Sequence, residues 1–333
     1  MSEGISILYE YYMDWGKSAE RAYRAGLNTN IPSYYYNTNK YFFCGMGGSG
    51  IAGLYASFIL ESLGIQRVVG ASTSYRIPPW VDRRTLVFAI SFSGNTRETI
   101  RCTHNALARG ARVILLSRDG KFEDMSRELN LYFFRVPEAP APRAGLAGLL
   151  YGILGILVNM NILDPTRLEI ESSIEIMKRE IYEAIDAAEH LASTLYKARD
   201  KIPLIITGDS IWPVAYRVKN ELAENAKTAS LIGVMPESGH NDVEAWNNMD
   251  NLIPLVIWTG VTLEDKMIEA ALEVTGFDSY IDIKPRGQSI LIRLIWPSWI
   301  AGLMSVQLAN LKGIDPMDIP TIKMYRKAVS EIF

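Results

Sequence analysis

Residues 44–53 read CGMGGSGIAG, between the apolar run Tyr41-Phe42-Phe43 and a helical pattern. Gly45, Gly47 and Gly50 fit G-x-G-x-x-G, the strand-to-helix turn of dinucleotide-binding folds. Three ligands compete for such a turn. A nucleoside triphosphate loop carries Gly-Lys-Ser/Thr after its glycines, and no lysine follows here. A dinucleotide loop needs an acid about 20 residues on, at the end of the next strand, to hold the ribose. The next expected strand, Arg67–Val69, ends in Gly70-Ala71-Ser72. The third reading is a single phosphate ester, lined by Gly47, Gly48 and the Ser49 hydroxyl at the start of a helix expected from Ile51.

A second stretch favours the phosphate ester. The expected strand Thr85–Ile90 runs into SFSGNTRETI, Ser91–Ile100. Ser91, Ser93 and Thr96 set hydroxyls around a tight turn at Gly94-Asn95, which opens another helix with unpaired N–H groups in its first turn. Alone, this is an N-cap and a turn. Paired with GMGGSG, at the carboxyl ends of parallel strands where α/β sheets bind ligands, it reads as the other half of a phosphate site.

The rest of the first half supports that setting. Short apolar strands at Lys40–Cys44, Arg67–Val69, Thr85–Ile90, Arg112–Leu116 and Leu131–Val136 alternate with helical patterns at Ile51–Leu63, Thr96–Arg109 and Lys121–Glu128. Such alternation predicts a parallel sheet flanked by helices. The proline-rich stretch 137–142 breaks it, and helices are expected over Arg143–Asn161 and Leu168–Arg199. A second cycle begins at Ile202, with strands at Ala229–Val234, Asn251–Trp258 and Ser279–Ile283. Its helices are expected at Trp212–Ala226, Leu263–Thr275, Gln288–Leu311 and Thr321–Phe333. The fold class is therefore α/β, two copies of a three-layer subdomain: residues 1–142 with the phosphate loops, connecting helices over 143–200, and 201–333. Only the first copy keeps the glycine loop. The second has Gly208-Asp209-Ser210 there, so one ligand per chain is expected.

Composition narrows the function classes. The chain has 333 residues, room for two domains of roughly 100–200 each. A net charge of −3 gives no basic surface for nucleic acid. Cys44 and Cys102 make no disulfide framework, and residues 1–26 read as a charged helix rather than a signal peptide, so a cytoplasmic protein is expected. Gly145–Leu163 carries no charge and is long enough for a membrane span. A lone span has no place in an alternating chain, so a buried helix and no membrane contact are expected. His240, Asp242 and Glu244 match no accepted metal-ligand spacing, and no metal or cofactor is expected.

GMGGSG followed by SFSGNTRET resembles the sugar isomerase (SIS) domain. More closely, the chain resembles the archaeal-type bifunctional phosphoglucose/phosphomannose isomerases. The further matches are APR at Ala141–Arg143, NELAENAK at Asn220–Lys227, ESGHND at Glu237–Asp242 and GIDPMDIPTI at Gly313–Ile322. The resemblance implies two SIS subdomains and a sugar-phosphate substrate: glucose 6-phosphate, with mannose 6-phosphate, interconverted with fructose 6-phosphate through a cis-enediol. It implies Glu224 as the proton-transferring base, with Glu221, one turn earlier, as fallback. It implies His240 for ring opening, contributed to the neighbouring subunit's site in a homodimer, and Arg143 for enediolate charge. The tail departs from the family pattern: Arg326 stands where a lysine is usual, and Lys327 next to it is the alternative. A guanidinium does not replace an ammonium group for group. Competing readings are an SIS isomerase of another sugar phosphate and a non-catalytic sugar-phosphate sensor, which would need neither Glu224 nor His240.

Overall fold

The computed structural model describes residues 3–329 and Ile332. Its packing separates two units, Asp14–Ile170 and a second formed by the helix Glu3–Met13 with the chain from Glu171 onward. These divisions fall at different places from the expected 142/143 and 200/201. The reason lies in helix packing. The helix Leu146–Asn159 lies against Trp15–Leu27 and Gly47–Ser62, which assigns it to the first sheet's unit. The helix Ile181–Lys197 packs on Ile290–Leu311 and belongs with the second.

The unit Asp14–Ile170 holds β1 (Lys40–Gly45), β2 (Val68–Ser72), β3 (Thr85–Ile90), β4 (Arg112–Ser117) and β5 (Tyr132–Arg135). All pair in parallel, in the order β2-β1-β3-β4-β5. The central strands are buried on both faces, which is why they read as unbroken apolar runs. The second unit holds β6 (Ile202–Gly208), β7 (Leu231–Met235), β8 (Leu252–Ile257) and β9 (Ile281–Ile283), parallel, in the order β7-β6-β8-β9. Strand for strand this repeats β2-β1-β3-β4. In both sheets the order reverses about the first strand, the switch point at which open α/β sheets place ligands.

Several boundaries differ from the sequence expectation. The helix after β1 starts at Gly47, not Ile51, so the glycine-rich residues form its first turn. Strand β2 continues past Val69 to Ser72. The expected helix Leu168–Arg199 is three: Pro165–Leu168, Ile170–Arg179 and Ile181–Lys197. The first break is made by Glu169, in the left-handed region at φ 52°, a conformation no glycine announced. The C-terminal helix is Pro320–Val329, and the expected positions 330, 331 and 333 lie outside the described residues.

The stretch flagged for a membrane is the shorter helix Leu146–Asn159, buried at every position from Leu146 to Leu157. Among the described residues, Ile290–Leu311, at 22 residues, is the helix long and apolar enough to span a bilayer. From Ile290 to Ala309 all of it except Arg293 and Gln307 is buried. Cys44 and Cys102 are free thiols in one core cluster. The hydrogen bond to Cys102, then burial, raises the Cys44 thiol well above the ordinary range.

Glycine lets two helices of the first unit touch backbone to backbone. A Cβ on Gly26 would lie 2.6 Å from the Gly152 carbonyl oxygen, and one on Gly155 would run into the Tyr23 carbonyl. Gly155→Val is therefore expected to lower unfolding stability by about 1–3 kcal/mol, the usual cost of overpacking. A urea midpoint equal to that of the wild type would show that the helices do not meet there.

Candidate functional site

Parallel β1 and β3 release their carboxyl ends side by side, and the turns that follow are joined directly. The Phe92 backbone N–H donates to the Ser49 hydroxyl at 3.0 Å. Ser49 is in the first turn of the helix Gly47–Ser62, and Phe92 is the second residue of SFSGNT. Within that turn the Ser91 hydroxyl donates to Thr96 Oγ1 at 3.0 Å, and Ser93 Oγ accepts from the Asn95 N–H at 3.3 Å. Thr96 precedes the helix Arg97–Ala108 but makes no capping bond to it. The plain capping role is thus not the one its side chain takes. Ser49, Ser93 and Thr96 each accept one bond, which leaves each hydroxyl proton to be donated outward. Ser49 and Ser91 are buried at the base, while Ser93 and Gly47 are exposed at the rim. Two helix N-termini add unpaired N–H groups and positive dipole ends. Donors of this kind suit an anion.

The segment Ala141–Arg143 closes against the same turn. A Cβ on Gly48 would sit 2.8 Å from the Pro142 carbonyl oxygen and 2.9 Å from the Arg143 Cα. The Phe92 ring would meet a Cβ on Gly145 at 2.9 Å. Gly48 and Gly145 are therefore glycines of close approach. Arg143 is 4% exposed, far from the surface charge that a lone arginine after prolines suggests.

Glu224, Glu221, His240, Arg326 and Lys327 belong to the other unit. Glu224 is the last residue of the helix Trp212–Glu224 and is half-buried. Glu221 is fully buried. Its carboxylate pairs with Arg217 and accepts from Tyr12 Oη at 2.8 Å and Asn225 Nδ2 at 2.7 Å. Asn225 also donates to Ser305 Oγ at 2.8 Å. Removing one partner of such a pair costs about 3–5 kcal/mol. Glu221 is thus a structural acid with no face for a substrate, and the fallback role is corrected on that ground. The network instead anchors the turn that carries Glu224. Lys312 adds to it, donating to the Ala226 carbonyl at 2.7 Å, and burial lowers its pKa.

His240 ends the short turn Glu237–His240 and is exposed. Ser238 braces that turn, accepting from the Val234 N–H at 2.9 Å and donating to Asp242 at 2.7 Å. The imidazole edges an apolar cleft of about 290 Å³ lined by Met235, Pro236, Val243, Met267 and Val274. Glu224 comes before the edge strand β7 and His240 after it, so the two lead into opposite ends of that strand, which alone spans about 13 Å at about 3.3 Å per residue. Arg326 and Lys327 lie on the helix Pro320–Val329, which has no buried residue. Arg326 and Lys327 are both exposed on it.

Sequence reasoning missed the Phe92–Ser49 bond, since a backbone donor leaves no mark in sequence. It also missed the Gly48 contact, although two adjacent glycines at a helix start were a signal for close backbone approach.

Profile comparison matches residues 34–158 to the SIS domain and 184–329 to the bacterial phospho-glucose isomerase C-terminal SIS domain. A bifunctional phosphoglucose/phosphomannose isomerase of Aquifex aeolicus is 30% identical over 87% of this chain and 90% of its own. One of Aeropyrum pernix is 30% identical over 97% and 98%. A D-glucosamine-6-phosphate 4-epimerase of Sulfolobus acidocaldarius is 26% identical over 90% and 93%. Among solved structures, the C-terminal domain of a Francisella tularensis glucosamine-fructose-6-phosphate aminotransferase superposes with TM-score 0.72 at 16% identity, covering 92% of this chain and 96% of its own.

Ser49→Ala removes one outward donor and is expected to weaken inorganic phosphate binding by about 1.5–3 kcal/mol, the worth of a hydrogen bond to a charged group. Titration calorimetry reads this directly, and unchanged affinity would remove Ser49 from the site.

Proposed function

The chain belongs to the bifunctional phosphoglucose/phosphomannose isomerases, and we propose that it interconverts glucose 6-phosphate and mannose 6-phosphate with fructose 6-phosphate as a cytoplasmic homodimer. The observation that carries this reading is the 30% identity to such an isomerase over nearly the whole chain, joined to a hydroxyl-lined anion cradle where that fold holds its ligand. The D-glucosamine-6-phosphate 4-epimerase relative supports a second reading, different chemistry on a related sugar phosphate held the same way.

In the proposed reaction Gly47, Gly48, Ser49, Ser93 and Thr96 hold the phosphate, and Ser91 orients Thr96 through its hydroxyl. That contact is the same in every state of the reaction, so it fixes the sugar without favouring one state. His240 moves a proton between the ring oxygen and the C1 hydroxyl to open the ring. Glu224 takes the proton from C2 of the open aldose and returns it to C1, while the hydroxyl proton on O2 passes to O1 and the carbonyl shifts from C1 to C2. Between these steps the enediolate oxygen carries negative charge, which Arg143 offsets with a charge that persists at any working pH. Arg326 faces solvent in the isolated chain, so its part, or that of Lys327, waits on a partner surface.

The placement of Glu224 and His240 toward opposite ends of β7 supports the dimer. In the proposed dimer a second copy supplies its histidine to the first copy's glutamate. Glu224→Gln and His240→Ala homodimers are each expected to lose most activity, a positioned acid–base group being worth about 10²–10⁴ in rate. Unfolded together and refolded at equal amounts, they form mixed dimers with one intact site, restoring about a quarter of wild-type activity. Fructose 6-phosphate formation is the readout. A mixture no more active than its parents would place both groups in one chain's site, and activity on glucosamine 6-phosphate alone would favour the epimerase reading.

A further inference from the structure

The repeat between the sheets matches the turn after β6 to the turn after β1, and the turn after β8 to the turn after β3. In the unit Asp14–Ile170, the hydroxyls of Ser49, Ser91, Ser93 and Thr96 bond to backbone or to one another. The matching place after β6 is filled. There the Ser210 N–H donates to Glu264 Oε1 at 3.0 Å, and the Ser210 hydroxyl donates to Oε2 at 2.6 Å. The second distance is typical of a hydroxyl bonded to a charged carboxylate. A Cβ at Gly208 would run into the same carboxylate, so the glycine before this turn makes room for Glu264.

Glu264 reaches this place from outside. It lies in the first turn of the helix Thr262–Val274, 54 positions from Ser210. Its neighbour Asp265 behaves differently. Asp265 accepts from the Thr259 N–H and hydroxyl, both at 2.8 Å, and from the Gly260 N–H at 3.1 Å. Those bonds satisfy the turn leading into its own helix and are local. Glu264 instead crosses from the end of β8 to the end of β6, and presents two anionic oxygens to a backbone N–H and a serine hydroxyl. A phosphate ester in the first unit is offered the same two kinds of donor.

We propose that the Glu264 carboxylate is a built-in anion, filling in this unit the place that a substrate's phosphate takes in the other, and so holding the chain to one phosphate site. The replacement of the glycine loop by Gly208-Asp209-Ser210 is then not by itself the cause of the single site. The donors there remain competent, and an internal ligand occupies them. The inference rests on the phosphate reading of the Ser49 cradle, but its test compares two proteins, so each claim fails separately.

The probe is inorganic phosphate, titrated calorimetrically into the full-length wild type and Glu264→Ala. The variant is expected to bind one more phosphate per chain than the wild type. Its crystal structure in phosphate should place the extra anion within hydrogen-bond distance of Ser210 N and Oγ. Adding Ser210→Ala should weaken the extra site at least tenfold and leave the first unchanged. A folded Glu264→Ala protein with wild-type stoichiometry would overturn the proposal, as would an extra anion bound elsewhere. If Glu264→Ala does not fold, Glu264→Ser is read in the same way. Failure of both to fold even in phosphate would also overturn it, because a vacated anion place is stabilised by the free anion. A wild type that binds no phosphate, beside a variant that binds one at Ser210, would uphold Glu264 as the internal ligand of the Ser210 donors and sink the Ser49 cradle.

Discussion

The hydrogen bond from the Phe92 N–H to the Ser49 hydroxyl is the constraint on which the candidate site rests. It locks the first turn of one helix to the turn that opens the next, two segments 43 positions apart in sequence. Parallel pairing of β1 with β3 brings their ends together, and the bond sets the distance that remains. Because Ser49 spends its acceptor on Phe92, its proton is left for a ligand. Gly48 then lets Pro142 and Arg143 approach, so a third segment joins the same turn. The hydroxyl-lined turns are thus assembled within one unit, from strand order, two glycine-dependent contacts and a single inter-turn bond.

The second unit uses the same sheet order for other ends. Its buried polar chemistry is concentrated around Glu221, whose partners Tyr12, Arg217 and Asn225 come from two helices. A buried acid so held makes the end of the helix Trp212–Glu224 rigid, which suits the neighbouring Glu224 to a role needing a fixed carboxylate. Beyond the other end of β7, Ser238 and Asp242 brace the turn that presents His240.

Much of this was readable in the amino-acid order. Among the described residues, the nine strands coincide with expected ones to within a few residues, because buried parallel strands are continuous apolar runs bounded by turn residues. The two-copy architecture followed from the repeated strand–turn–helix pattern, and membership of the isomerase family from the paired loops and the glutamate and histidine blocks. What escaped was set by tertiary contact. Glu169 and Glu180 interrupt a helical pattern without glycine or proline. The unit boundaries depend on which sheet a helix packs against, and an apolar helix carries no label for that. Glu221 and Glu224 are one turn apart on one helix, and only the fold tells the sealed acid from the accessible one.

The central claim is that the cradle of Gly47–Ser49 and Ser91–Thr96 holds the phosphate of a sugar phosphate. The most direct measurement is a crystal structure of the wild-type protein with fructose 6-phosphate. The account predicts one phosphate per chain, within hydrogen-bond distance of the Ser49, Ser93 and Thr96 hydroxyls. A phosphate bound elsewhere, with these hydroxyls facing water, would contradict it.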